Sequence, residues 1–399
     1  MSKKEFLKAI ILFVIFFLLT IGNGKYIIDH FGNKVEIIGI AILLITAMLR
    51  LPKNINSLKK DLKIIGLAFI LSCGAFYNNI SNDSKIMIVL SALLLMNYSK
   101  FSELFITDSG KIKLIGDAIL LGMIANAIIG ALTGTLGLNF SSNLSFIKII
   151  FLSGIKVKNY CGGIWLVTYI LYYVFYHRKG NVDKHIIRFI ILFMLILLSG
   201  SKGALLLCVL FTLFVNFNKV IKIKKTQKKV FYMMVAVVGI IISIYVYKNV
   251  LINIPTYAYR MRGLQKLIDI YINDFSKFIF GMSDVAYANT GFDYTVNMRN
   301  YLGWEASVEM AYVNILIKNG FLGFLVYFIV FKEIIKKAKE YVQKDKIIIY
   351  SVVLVMLLSG FTETYIASIH YVVGPTLFCL VNGIIYANSN KTEEKKWLN

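Results

Sequence analysis

Residues 186–215 read IIRFIILFMLILLSGSKGALLLCVLFTLFV, two apolar runs separated only by Ser199-Gly200-Ser201-Lys202-Gly203. Crossing the ~30 Å hydrocarbon layer of a bilayer takes roughly 17 to 25 predominantly apolar residues in a helix. Runs of that character recur from end to end of the 399 residues, 58% of which are hydrophobic. Mean hydropathy is +0.71. With only 3 Pro and almost no polar low-complexity sequence, no room is left for a large soluble domain. The pattern predicts an all-α polytopic membrane protein, one domain over residues 1–399. About twelve transmembrane helices are expected, at 6–22, 35–50, 64–78, 85–98, 114–138, 163–177, 186–200, 203–217, 230–248, 307–331, 347–362 and 369–387.

The net charge of +23 reads as a topology signal. With a cytoplasmic N-terminus, the inner loops hold Lys3 to Lys8, Arg50 to Lys63, Arg178 to Arg188, Lys219 to Lys229, Lys332 to Lys346 and Lys391 to Lys396. The short outer loops carry one to three basic residues each, and such a bias orients a membrane protein. It puts both termini in the cytoplasm. Contact with anionic lipid is a secondary benefit of the same residues, and the distribution argues against nucleic acid as a partner. The first span ends in Ile21-Gly22-Asn23-Gly24-Lys25, without a small-x-small cleavage site, so it reads as an uncleaved anchor. Cys73, Cys161, Cys208 and Cys379 are scattered, at no metal-ligand or disulfide spacing. A phosphate-cradling GxxxxGK[ST] loop is absent, so no metal and no nucleotide cofactor is expected. No repeat relates the first six spans to the last six, which weakens a transporter reading built on two similar halves.

The one long outer connection, 249–306, lies between the ninth and tenth spans. From Tyr257 to Phe280 it carries Met261, Leu264, Leu267, Ile268, Tyr271 and Ile272 at helical spacing. This predicts an amphipathic helix near the membrane surface, ending at Phe280-Gly281 where glycine permits a left-handed turn. A second outer loop is expected over about Asn139 to Gly162.

Charges at the edges of apolar spans are costly and mark functional candidates. Lys202 is a lone cation on the sparsely charged outer side, suited to an anionic ligand or else snorkelling to headgroups. Arg260, Arg262 and Arg299 lie in the long loop, and guanidinium groups pair bidentately with phosphate oxygens. Glu309 starts the tenth span, where it fits a general base or a favourable helix-dipole charge. Glu363 and His370 bracket the turn between the last two spans and face the same outer side. Asp117 and Lys318 are the main charges placed mid-span.

Three segments together resemble the O-antigen polymerase/ligase superfamily of bacterial membrane glycosyltransferases. They are Ser199-Gly200-Ser201-Lys202-Gly203-Ala204-Leu205-Leu206, then Arg262-Gly263-Leu264-Gln265-Lys266-Leu267-Ile268 leading to Phe280-Gly281, and finally Glu309-Met310-Ala311-Tyr312-Val313-Asn314-Ile315-Leu316 followed by Asn319-Gly320-Phe321-Leu322-Gly323. The resemblance covers about residues 190 to 330; Lys202 stands where the family has Arg, and Glu309 where the ligase branch has His. It implies a polymerase of undecaprenyl-diphosphate-linked oligosaccharide repeat units in the bacterial inner membrane, making capsule or O-antigen. Catalytic roles would fall to Glu309, Arg262 and Lys202. Substrate binding would fall to Arg260, Arg299, Tyr312, Trp304, Glu363 and His370, with the aromatic stretch from Tyr287 to Trp304 holding sugars. Implied partners are the lipid-linked oligosaccharide, the bilayer, a chain-length regulator and a flippase. A ligase of the same superfamily, a polysaccharide transporter and a structural scaffold are the competing readings.

Overall fold

The computed structural model describes residues 2–48, 55–78, 80–143, 146–220, 255–287, 301–304, 308–341, 345–368 and 371–397. Its elements, in chain order, are α1 (Lys3–Ile21), α2 (Lys25–Phe31), α3 (Lys34–Met48), α4 (Ile55–Tyr77), α5 (Asn82–Phe105), α6 (Ser109–Thr133), β1 (Leu138–Asn143) and β2 (Phe146–Phe151). They continue with α7 (Lys158–Arg178), α8 (Ile186–Leu198), α9 (Lys202–Val220), α10 (Pro255–Asn273), α11 (Phe275–Phe280), α12 (Ser283–Tyr287), α13 (Ala311–Tyr341), α14 (Lys346–Thr362) and α15 (Val373–Trp397). Each expected span except 230–248, which lies outside the described residues, overlaps a helix.

By length and composition, three stretches are long and apolar enough to cross a membrane: Ser84–Phe105, Ser109–Thr133 and Ala311–Glu340. The pair α2 and α3 passes the same test together but is bent by 92°, and Lys202–Asn216, Lys346–Thr362 and Val373–Asn388 are shorter apolar helices. Many large apolar side chains face outward, among them Phe69, Leu132, Ile187, Leu206, Leu213 and Phe328. Scattered exposed apolar groups are ordinary on a water-soluble protein, but bands of them around a helix bundle suit a hydrocarbon surround.

Helix α7 is the centre of the bundle. Nearly every residue from Cys161 to Val174 is buried, as expected of a helix that is apolar all round. It packs against α6 on one side and against α8 and α9 on the other. Helix α1 packs on α3 and α6, α4 on α5 and α13, and α9 on α14. At the C-terminal end of α7, Arg178 and Asp345 form a 2.7 Å ion pair joining α7 to α14. Asp117, one of the two mid-span charges, is paired by Lys113 at 2.6 Å and by the Tyr172 hydroxyl at 2.8 Å.

Three features depart from the expected pattern. The stretch expected as a second outer loop contains an antiparallel hairpin, with Leu138 opposite Phe151 and Asn143 opposite Phe146, where no regular structure is expected from the sequence. The amphipathic helix is broken at Asp274, whose carboxylate accepts the backbone N–H groups of Ser276 and Lys277 and so starts α11. Its buried stripe is Tyr259, Gly263 and Leu267, whereas Ile268, Ile272 and Phe275 point outward. Finally, Gly320 leaves helical geometry inside α13, with φ 65° and ψ −167°, which kinks the helix within the expected tenth span.

Candidate functional site

The turn between α8 and α9 is held from below by serines. Ser199 and Ser201 are fully buried; the Ser199 hydroxyl donates to the Ile196 carbonyl at 2.6 Å and accepts the Ser201 N–H at 3.3 Å. Gly200 adopts φ 71°, the left-handed conformation glycine takes without strain. Ser201 accepts the Ala204 N–H and caps α9. The turn sits on Gly162 of α7, where a Cβ would lie 2.4 Å from Ser201. Lys202 is thereby left exposed as the first residue of α9, beside the positive end of the helix dipole. Its own charge gains nothing there, and an anion would be attracted by both.

The loop helices dock through glycines. Gly281 and Gly320 meet backbone to backbone: a Cβ on Gly320 would stand 2.3 Å from the Ile279 carbonyl oxygen and 2.4 Å from the Gly281 nitrogen. The Met282 N–H donates to the Ile317 carbonyl at 2.6 Å, and the Tyr271 hydroxyl donates to the Leu316 carbonyl at 2.9 Å. Asn78 of α4 closes the junction by donating to the Gly281 carbonyl at 3.1 Å. Above it lies a small core of Tyr259, Leu267, Met282, Val285, Leu302, Trp304, Val308, Val313 and Ile317. The two glycine motifs of the resemblance are therefore one joint in space.

That joint presents Arg260 to Glu309, and the guanidinium and carboxylate form an ion pair with side chains 14% and 28% exposed. A second carboxylate, Glu363, lies just past the end of α14 and is 5% exposed. Burial pushes the Glu363 carboxyl up to about 7, while the charges of Arg260 and Lys158 pull it down. Its side chain packs on Gly203 in the first turn of α9, and its backbone carbonyl accepts the Ala311 N–H at 3.0 Å. Near Glu363, the Tyr365 hydroxyl donates to the Asn159 carbonyl at 3.0 Å. The Tyr371 hydroxyl donates to the Tyr160 carbonyl, and the two rings stack at 4.2 Å.

Of the sequence-predicted residues, Arg260 and Glu309 form an ion pair, the Glu363 backbone binds Ala311 close to Glu309 in the chain, and Lys202 is the neighbour of Gly203, on which the Glu363 side chain packs. Arg262 is exposed on α10. Two residues along a helix is about 200° of rotation, so Arg260 follows the buried stripe and Arg262 does not. Trp304 is fully buried against Gly263 and Tyr259, which makes it a packing residue with no open ring face for a sugar. Tyr312 is half-buried, donating its hydroxyl to the Leu357 carbonyl at 2.6 Å. Arg299 and His370 lie outside the described residues, as does most of the Tyr287 to Trp304 stretch. Lys158 and the cluster of Tyr160, Tyr365 and Tyr371 went unnoticed in the sequence, since nothing local links them to partners so far along the chain. Among the described residues no three His, Cys, Asp or Glu side chains are placed to hold a metal ion. No protein-family model and no curated protein matches the chain.

Proposed function

We propose that the protein is a polymerase of lipid-diphosphate-linked oligosaccharide repeat units, built on about twelve membrane spans with both termini cytoplasmic and its site on the outer face of a bacterial inner membrane. The observation that carries this reading is that the three family-like segments lie together: Gly281 packs on Gly320, Arg260 beside the second segment pairs with Glu309 of the third, and Glu363 joins Gly203 of the first to Ala311 of the third. Arg260 and Lys202, with the N-terminus of α9, supply positive charge for a diphosphate leaving group. Glu309 takes the proton of the attacking hydroxyl or orients the acceptor. The outward Ile268, Ile272 and Phe275 give the loop helix an apolar face for the bilayer surface. Because the donor is already activated by its diphosphate, the reaction needs no nucleotide.

The test is extension of the lipid-linked repeat unit by protein in nanodiscs, without nucleotide or metal, with products resolved by size. A ladder of lipid-linked oligomers is expected. A single transfer to a different acceptor would favour the ligase reading, and no transfer by well-folded protein would favour a transporter.

A further inference from the structure

Glu333 lies about six turns along α13 from Ala311, roughly 30 Å from the end that carries the Arg260–Glu309 pair. There α4, α5, α13 and α15 pack pairwise around a crevice of about 120 Å³. Its floor is the buried Met96 and Phe378, and its mouth, between α4 and α13, is the half-buried Leu67 and Val330. One water takes roughly 10–15 Å³ by the same measure and needs two to four polar partners. A space this large with this apolar a lining suits hydrocarbon instead.

The rim is charged. Lys63 of α4 and Glu333 of α13 form a 2.7 Å ion pair across the mouth, and Lys100, one residue beyond the lining Ser99, pairs with Asp61 at 2.5 Å. Both carboxylates are thus engaged by other lysines. Lys337 also lines the crevice, one turn beyond Glu333, and among the described residues no ion pair joins it to a carboxylate. Its ammonium donates to the neutral Tyr386 hydroxyl at 3.4 Å, and that hydroxyl is fixed by a 2.7 Å hydrogen bond with Ser99. The charge bias along the chain orients this end toward the cytoplasm, where the leaflet is anionic and basic crevices between spans take anionic head groups.

We propose that this crevice binds an acidic phospholipid of the surrounding bilayer. One acyl chain lies against Met96, Val330 and Phe378, and the phosphate accepts from Lys337 with Lys63 beside it. The charge alone would suit a free phosphate, and the apolar lining alone would suit any lipid tail. Together they call for one molecule that carries both. The bound lipid bridges α4 and α13, which Asn319 also joins by donating to the Leu71 carbonyl at 2.9 Å. Further along the same two helices, Asn78 and Gly320 hold the loop joint at Gly281. The lipid therefore clamps the helix pair on which the loop is seated, and its binding is independent of the polymerase reading.

The test titrates the full chain in nonionic detergent with dioleoyl phosphatidylglycerol or dioleoyl phosphatidylcholine and counts one-to-one adducts by native mass spectrometry. Wild type is expected to bind one phosphatidylglycerol at least about fivefold more tightly than phosphatidylcholine. Lys337→Gln is expected to lose about fivefold for phosphatidylglycerol alone, the effect of one lysine beside an anionic head group. Lys336→Gln makes the same charge change at the exposed neighbouring position and is expected to bind as wild type does. Val330→Phe, which puts a ring in the mouth, is expected to weaken both lipids. Equal affinity of wild type for the two lipids overturns the proposal, as does wild-type binding by Lys337→Gln or by well-folded Val330→Phe. An equal loss in Lys336→Gln and Lys337→Gln would show general surface attraction and would also overturn it. Displacement of the lipid by glycerol phosphate at equal concentration would show an anion site that holds no acyl chain, with the same consequence. The partly exposed lysine variants decide the matter if Val330→Phe does not fold.

Discussion

Replacing Gly203 by alanine moves Glu363 without touching its chemistry. A Cβ at position 203 would lie 2.3 Å from Glu363 Oε1, 3.1 Å from Cδ and 3.2 Å from Cγ. Ordinary contact begins near 3.4 Å, so the carboxylate must retreat by roughly 1 Å, away from the first turn of α9. Overpacking of this kind costs about 1–3 kcal/mol. Alanine recovers about 1 kcal/mol of helix propensity over glycine. The net loss is about 0–2 kcal/mol, a shift of a few degrees in melting temperature. Misplacing a site group by about 1 Å costs on the order of 100-fold in rate. Gly203→Ala should therefore fold almost normally and extend the lipid-linked unit about 100-fold more slowly, measured as initial rate per folded molecule. Gly66→Ala is the control, because Gly66 is exposed on α4 with nothing within 4 Å of a built Cβ. Full activity in Gly203→Ala would refute the placement of Glu363 against α9.

Three further outcomes follow from the same geometry. Gly320→Ala combines a positive φ, worth about 1–2 kcal/mol for an L residue, with backbone atoms 2.3–2.6 Å from the new methyl; a large drop in melting temperature is expected, and a neutral result would contradict the glycine joint. Trp304→Ala should cost about 3–5 kcal/mol as a large buried ring is lost, read from denaturation in detergent, and unchanged stability would show that the ring is not packed. Glu363 holds its proton to about 7 in the folded protein, against an ordinary carboxyl near 4.5. Its contribution is thus fully present below about 4.5 and lost as pH rises to about 7, by up to about 3 kcal/mol. Stability measured from pH 5 to pH 8 should fall more steeply in wild type than in Glu363→Gln, and parallel curves would refute it.

The helices were legible because apolar runs of this length admit little else; Gly281 and Gly320 were each legible in a motif of their own, but only the fold brings them into one joint. The hairpin at Leu138–Phe151 was not, since short apolar runs beside Asn and Ser do not by themselves distinguish strand from loop. Arg260 and Arg262 look alike in sequence. Only the register fixed by Tyr259, Gly263 and Leu267 turns one inward and the other out. Trp304 reads as a binding aromatic in a polar loop, yet the bare backbone of Gly263 opposite it makes a socket for its ring. Lys158 joins the site through the bundle rather than along the chain, and no local pattern announces that.

The most direct measurement follows released lipid diphosphate and glycan length together, for wild type and Arg260→Ala in nanodiscs with the lipid-linked repeat unit. One diphosphate released per linkage formed, along a growing ladder that Arg260→Ala fails to make, is the expected result. Extension that persists undiminished in Arg260→Ala, or well-folded wild type that releases no diphosphate, would contradict a diphosphate site at the Arg260–Glu309 pair.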